Sequence, residues 1–301
     1  MRRIFVLSAL LAAALAQGIT VSLRNSFVDE FRRRTTISGS FIVHAAHETP
    51  NTIAKDGDMH IAGECDSVGL PMVAEIMNAR NYAESGGCLE LVHQLEADGE
   101  ATTIEGVWRL WFEHPGSQNQ TQFGNNPLHG PDTNPDHVFE IHPVTKFGPH
   151  SLLDSFARIK EGNQEFAYKK VEDAIDQWKN KSFTVQPAGT RTKITSKTAS
   201  FNYVKMRVAK LPDSTFEVED GTFMYASVYG MSSNKRLKRK ARLVLVEGTD
   251  PQEALRDADV GQKVTVIAMP RVSLSLVAWR RDNPEGRNWT LPYELVIVAV
   301  F

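Results

Sequence analysis

Along most of the chain, apolar and polar positions alternate with the two-residue period of half-buried strands rather than the helical period. In the first half, residues 38–44, 59–64, 71–77, 107–113 and 137–144 each predict a strand. Leu89, Val92 and Leu95 recur at a spacing of three and predict a helix over 82–95, ahead of the fourth strand. Between the last two strands, residues 115–135 form a polar stretch rich in Gly, Pro and Asn. A loop of that length in a compact domain is usually functional or mobile. Val171, Ala174, Ile175 and Trp178 share one helical face, so residues 151–182 predict a helical connector. The β pattern then returns over 201–209, 216–229 with a break at Glu219-Asp220-Gly221, 241–247, 263–279 and 291–301. The last of these is almost wholly apolar and β-branched, as in a strand buried on both faces.

About five strands per half, with a helix before the fourth in the first half, match the count and order of an oligonucleotide/oligosaccharide-binding (OB) barrel. The predicted fold is therefore mainly β: two tandem OB-like five-stranded barrels, over 17–150 and 183–301, joined by the helical connector. A pair of β-sandwiches is the alternative, because strand count alone does not fix connectivity.

Charge sharpens the division. Residues 17–150 hold 18 acidic and 8 basic residues, net −10, whereas residues 151–301 hold 18 acidic and 24 basic, net +6. All nine histidines and both cysteines lie in the first half. Cys65 and Cys88 either form one disulfide or remain two buried thiols. At the start, Met1-Arg2-Arg3, the apolar run 4–16 and the small-residue pattern Ala14-Leu15-Ala16 predict a signal peptide over residues 1–16, hence export. No later segment is long and apolar enough to be read as a membrane-spanning helix.

The alternation also sorts chemistry onto faces. Asp58 and His60 lie opposite Met59 and Ile61; Arg109 and Glu113 lie opposite Trp108, Leu110 and Phe112. Glu140 and His142 lie opposite Phe139 and Ile141, and Glu75 interrupts an apolar strand. These are either solvated outer faces or a site. As a site, Asp58, His60, Glu140 and His142 offer oxygen and imidazole ligands to a divalent ion such as Zn²⁺, Mn²⁺ or Ca²⁺. Glu75 or Glu113 would serve as general base, and Arg109 would stabilise a developing anion.

Two resemblances follow from these residues. Lys55-Asp56-Gly57-Asp58-Met59-His60 resembles the Asp-Gly-Asp turn of staphylococcal-nuclease-type proteins, which implies a Ca²⁺-site carboxylate and phosphodiester cleavage. Asp-Gly-Asp-x-His, Val-Ala-Glu-Ile and Phe-Glu-Ile-His-Pro-Val together resemble a pattern of exported bacterial OB-fold-like proteins, which implies the fold and compartment but no activity.

In the second half, Lys235, Arg236, Lys238, Arg239, Lys240 and Arg242 place six basic residues within eight positions, at a loop and strand edge. This run is either an edge that discourages strand pairing or a contact for a polyanion, nucleic acid foremost. Tyr203, Phe223, Tyr225 and Tyr229 are candidate base-stacking residues beside it. The chain thus reads as an exported OB-type binding protein for an anionic polymer or surface. The alternative is a metal-dependent hydrolase of phosphodiester type, with its site on the first barrel.

Overall fold

A computed structural model describes residues 18–81, 85–126, 131–159, 166–283 and 289–301, so the expected leader lies outside the described residues. The first barrel comprises β1 (Thr36–Ala46), β2 (Met59–Cys65), β3 (Met72–Ile76), helix α1 (Ser85–Asp98), β4 (Ala101–His114) and β5 (His137–Phe147). β1 pairs antiparallel with β2 and β4, β2 with β3, and β4 with β5; a parallel β3–β5 pairing closes the cylinder. Phe41, Val43, Ile61, Ala74, Leu110, Phe139 and Ile141 fill it, and Cys88, Val92 and Leu95 of α1 are buried with them.

The second barrel repeats the plan with β6 (Val204–Val218), β7 (Gly221–Tyr229), β8 (Arg236–Val246), α2 (Asp250–Asp257), β9 (Lys263–Val272) and β10 (Tyr293–Val300). Its antiparallel pairs β6–β7, β7–β8, β6–β9 and β9–β10 are closed by a parallel β8–β10 contact. Both halves are therefore five-stranded closed barrels with a helix between strands three and four.

Several local expectations change. Glu219-Asp220 is the β6–β7 hairpin turn rather than a break within one strand. The strand expected over 263–279 stops at Val272 and gives way to a helix, Leu274–Asp282. The basic run lies mostly within β8 rather than in a loop. α2 escaped the periodicity because it spans only two turns, although Thr249-Asp250-Pro251 carries the helix-start signal of an early proline. In the connector, only Val171–Lys179 is α-helical among the described residues.

A third sheet stands outside the two barrels. Ile19–Arg24 pairs antiparallel with Arg191–Ser196, which pairs with Ser182–Ala188, while Gln120–Thr121 of the long loop adds in parallel. The chain before the first barrel is thereby tied to the chain before the second.

The barrels also meet directly. Val244, Val246, Ile267, Met269, Val296 and Val298, on the outer side of the second barrel, share an apolar cluster with Met77, Val107, Phe156 and Phe166. This burial of the outer face explains why β10 is apolar at nearly every position. Arg271 crosses the junction: its guanidinium stacks 3.5 Å over Trp108 and donates to the carbonyls of Thr35 at 2.9 Å and Trp108 at 3.1 Å. Glu294 Oε1, 2.7 Å from Arg271 Nε, offsets its buried charge.

Candidate metal centre

The outer polar face of the first barrel is where the structure departs most from an ordinary solvated surface. Asp58, His60, Glu75, Arg109, Glu140 and His142 are all buried, covered by the connector and by residues of the second barrel. Strand register explains their convergence. His60 on β2 is directly opposite Glu75 on β3, and Arg109 on β4 is opposite Glu140 on β5. The parallel pairing of Ala74 with Ile141 brings the next residues, Glu75 and His142, alongside each other. Asp58 joins from the turn before β2, where Gly57 adopts φ +81°, a conformation that favours glycine.

His142 is the hub. Its Nε2 lies 3.2 Å from Asp58 Oδ2 and 2.8 Å from the Tyr203 hydroxyl. Its Nδ1 lies 3.5 Å from Glu75 Oε2 and 3.4 Å from Glu140 Oε2. His60 Nε2 is 3.3 Å from Glu75 Oε2, and Glu140 is held by Arg109 Nη1 and by His137 at 3.4 Å. Asp58 is further fixed by the backbone N–H of Asn78, which donates to Oδ1 at 2.7 Å. Tyr203, just before β6, belongs to the second half, so the cluster spans both.

The electrostatics divide the members. Burial would lower the His142 pKa, but the surrounding carboxylates, Glu75 first, outweigh it and hold the imidazolium up to about 10. Burial pushes Glu75 well above the usual carboxylate range and raises Asp58. Glu140 goes the opposite way: despite burial, the Arg109 guanidinium keeps it well below that range. Burial, with the charges of His47 and His142, lowers His60 to about 3, so its ring is neutral at pH 7.

One ligand atom from each of Asp58, Glu75 and His142 lies within 4.8 Å of the others. Donors about 2.0–2.2 Å from a shared tetrahedral ion stand roughly 3.3–3.6 Å from one another, so the three would draw together by up to about 1.5 Å to close on one. Glu75 Oε2 and His142 Nδ1 are buried with charged neighbours at 3.3–3.5 Å but no well-aligned hydrogen bond, which fits a group that is added rather than a network already complete. The cluster is thus able to hold a metal ion.

The expected ligand set is redistributed by this geometry. Asp58 and His142 remain in it. Glu75, assigned above as a base, joins them, while Glu140 is committed to Arg109 and His60 stands on the far side of Glu75. Arg109 is spent on Glu140, on Glu113 at 3.3 Å and on the Pro270 carbonyl at 3.0 Å, so it orients carboxylates. Glu113 is half-buried and lines a cleft of about 750 Å³ together with His60, Glu75, His114, Phe201 and Tyr203. Tyr203, a stacking candidate by sequence, instead donates its hydroxyl to Asp58; no local pattern links position 203 to position 58. Cys65 and Cys88 are separate buried thiols, one on β2 and one on α1.

The basic run divides as well. Lys235, Arg236, Arg239 and Lys240 are exposed. Arg242 is occupied by Glu294 at 3.2 Å, Ser275 and the Phe223 ring, and Lys238 lies 3.5 Å over the Tyr293 ring. Among the described residues, no helix is long and apolar enough to cross a membrane. A comparison of the chain with protein-family models and with curated proteins finds no match.

Proposed function

We propose that the protein is an exported, metal-dependent hydrolase of anionic esters, phosphodiesters foremost, acting in the cleft beside His60 and Glu75. The observation that carries this reading is the convergence of Asp58 and His142 on Glu75, which itself lines the cleft of about 750 Å³. Asp58, Glu75 and His142 would hold the ion; two carboxylates and an imidazole suit zinc or manganese better than calcium, which takes six to eight oxygens. A bound ion of this kind supplies Lewis acidity and lowers the pKa of a coordinated water.

The chain's own groups do the rest. His60, neutral and lining the cleft 3.3 Å from Glu75 Oε2, would hydrogen-bond and position water or substrate there; its lowered pKa makes it a positioning group rather than a base. Lys55 and Lys169 line the same cleft and offset substrate charge. Arg109 and His137 hold Glu140, which in turn orients His142.

A second reading, polyanion binding without turnover, is favoured by the four exposed cations on and beside β8. The two are separated by assaying the full chain on a chromogenic phosphodiester and on nucleic acid with added Mn²⁺ or Zn²⁺. Turnover that is lost in His60→Ala while the variant still binds metal is the expected result. Absence of turnover with either ion would leave the binding reading.

A further inference from the structure

We infer that the outer face of the second barrel carries a stacking site for unpaired nucleic-acid bases, formed by Phe216 and Tyr225 beside Lys240. This names the ligand class for the polyanion reading and is independent of the metal centre. Three adjacent strands place the residues in a row: Phe216 on β6, Tyr225 on β7 and Lys240 on β8. The Phe216 and Tyr225 rings meet edge to face at 5.9 Å and 85°, and Lys240 Nζ stands 4.0 Å over the Tyr225 ring. Phe216 is 50% exposed, whereas Phe223 and Val244, paired in line with it on the same face, are buried.

A single exposed ring is ordinary on a protein surface, but this one is not isolated, because the Tyr225 ring and the Lys240 ammonium stand beside it. Nor is it needed for the core, whose Met224, Ala226 and Leu243 come from the opposite faces of β7 and β8. Arg239 and Lys240 on β8 are exposed and able to meet an anion, while Arg236 lies farther along the strand, opposite Tyr229. The acid beside Phe216, Glu217, is already held by the Thr222 hydroxyl at 2.7 Å and approached by Arg256 at 3.8 Å.

A flat ring next to mobile positive charges suits a ligand that has both flat faces and phosphates. A single strand offers its bases for stacking and its backbone for the cations. A duplex hides its bases, and an anionic glycan has no aromatic face. A lipid surface would reward the cations and would bury Phe216 without requiring a ring beside it, so it is a distinct outcome of the test.

The test uses the full-length protein and four probes: a fluorescent oligothymidylate, its duplex with oligoadenylate, heparin, and vesicles containing phosphatidylglycerol. The expected result is preference for the single strand over its duplex. Phe216→Ala, at an exposed position, should weaken that binding about ten-fold with an unchanged salt slope. Arg239→Ser with Lys240→Ser should instead flatten the slope by about 1.4, two phosphates at roughly 0.7 each. Equal binding of single strand, duplex and heparin, unaffected by Phe216→Ala, would overturn the stacking site while keeping a polyanion surface. Preference for vesicles would overturn it in favour of a lipid surface. Binding of none of the four would overturn the polyanion reading as well.

Discussion

The hydroxyl of Tyr203 donates a 2.6 Å hydrogen bond to Asp58 Oδ2 across 145 residues of sequence, and accepts one from His142 Nε2 at 2.8 Å. A residue of the second half thus completes a cluster whose other members lie in the first. Tyr203→Phe keeps the ring and removes the donor, leaving a buried carboxylate oxygen with one partner fewer. The expected cost is roughly 1–3 kcal/mol in urea unfolding of the metal-free protein. Zinc affinity should be kept or raised, since an ion replaces the lost hydrogen bond. A loss of both stability and zinc binding would show that Tyr203 shapes the site rather than seals it.

Arg109 carries the charge balance of the same face. Fully buried, it neutralises Glu140, reaches Glu113 and donates to the Pro270 carbonyl of β9. Arg109→Met should strand the Glu140 carboxylate and destabilise the full chain by about 3–5 kcal/mol. The double variant Arg109→Met, Glu140→Gln should recover much of that loss. Equal destabilisation in single and double variants would mean that the arginine acts through packing and the Pro270 contact alone.

Lys238 gives a pH dependence unconnected with the metal. Burial lowers its pKa to about 8, against an ordinary value near 10.5 in the unfolded chain. Below pH 8 both states are protonated and the folded state bears the whole penalty. As pH rises from about 8 to 10.5 the unfolded state binds more protons, so the penalty shrinks, and above that range it is gone. Lys238→Met should therefore stabilise the protein by on the order of 1 kcal/mol at pH 7, allowing for partial exposure. The gain should vanish by pH 10.5. A constant gain across that range would assign the effect to packing against Tyr293.

The strand alternation was legible because a barrel wall imposes a two-residue period, and it placed Asp58, His60, Arg109, Glu140 and His142 on one outer face. Whether that face met water was not legible. Its burial depends on Phe166, Tyr203 and the outward residues of β9, whose approach no local period encodes. The partition of ligands was likewise hidden: Glu75 and Glu140 look alike in sequence, and only the register of β4 against β5 commits Glu140 to Arg109. The sheet built on Ile19–Arg24 was missed for the same reason, since its partners lie some 170 residues later. In β8 the density of charge was plain, but the rings that occupy Lys238 and Arg242 come from other strands.

The central claim is that Asp58, Glu75 and His142 hold one divalent ion. The most direct test is calorimetric titration of the chelator-treated full chain with Zn²⁺ and Mn²⁺, beside His142→Ala and Glu75→Gln. Because the carboxylates hold His142 protonated in the metal-free protein, binding should release a proton, and affinity should climb as pH rises toward about 10. The account predicts one equivalent bound by the wild type, with proton release visible in buffers of different ionisation heat. It also predicts loss of that binding in both variants, with the fold retained by circular dichroism. Absence of binding by the wild type, or undiminished binding in both variants, would contradict it.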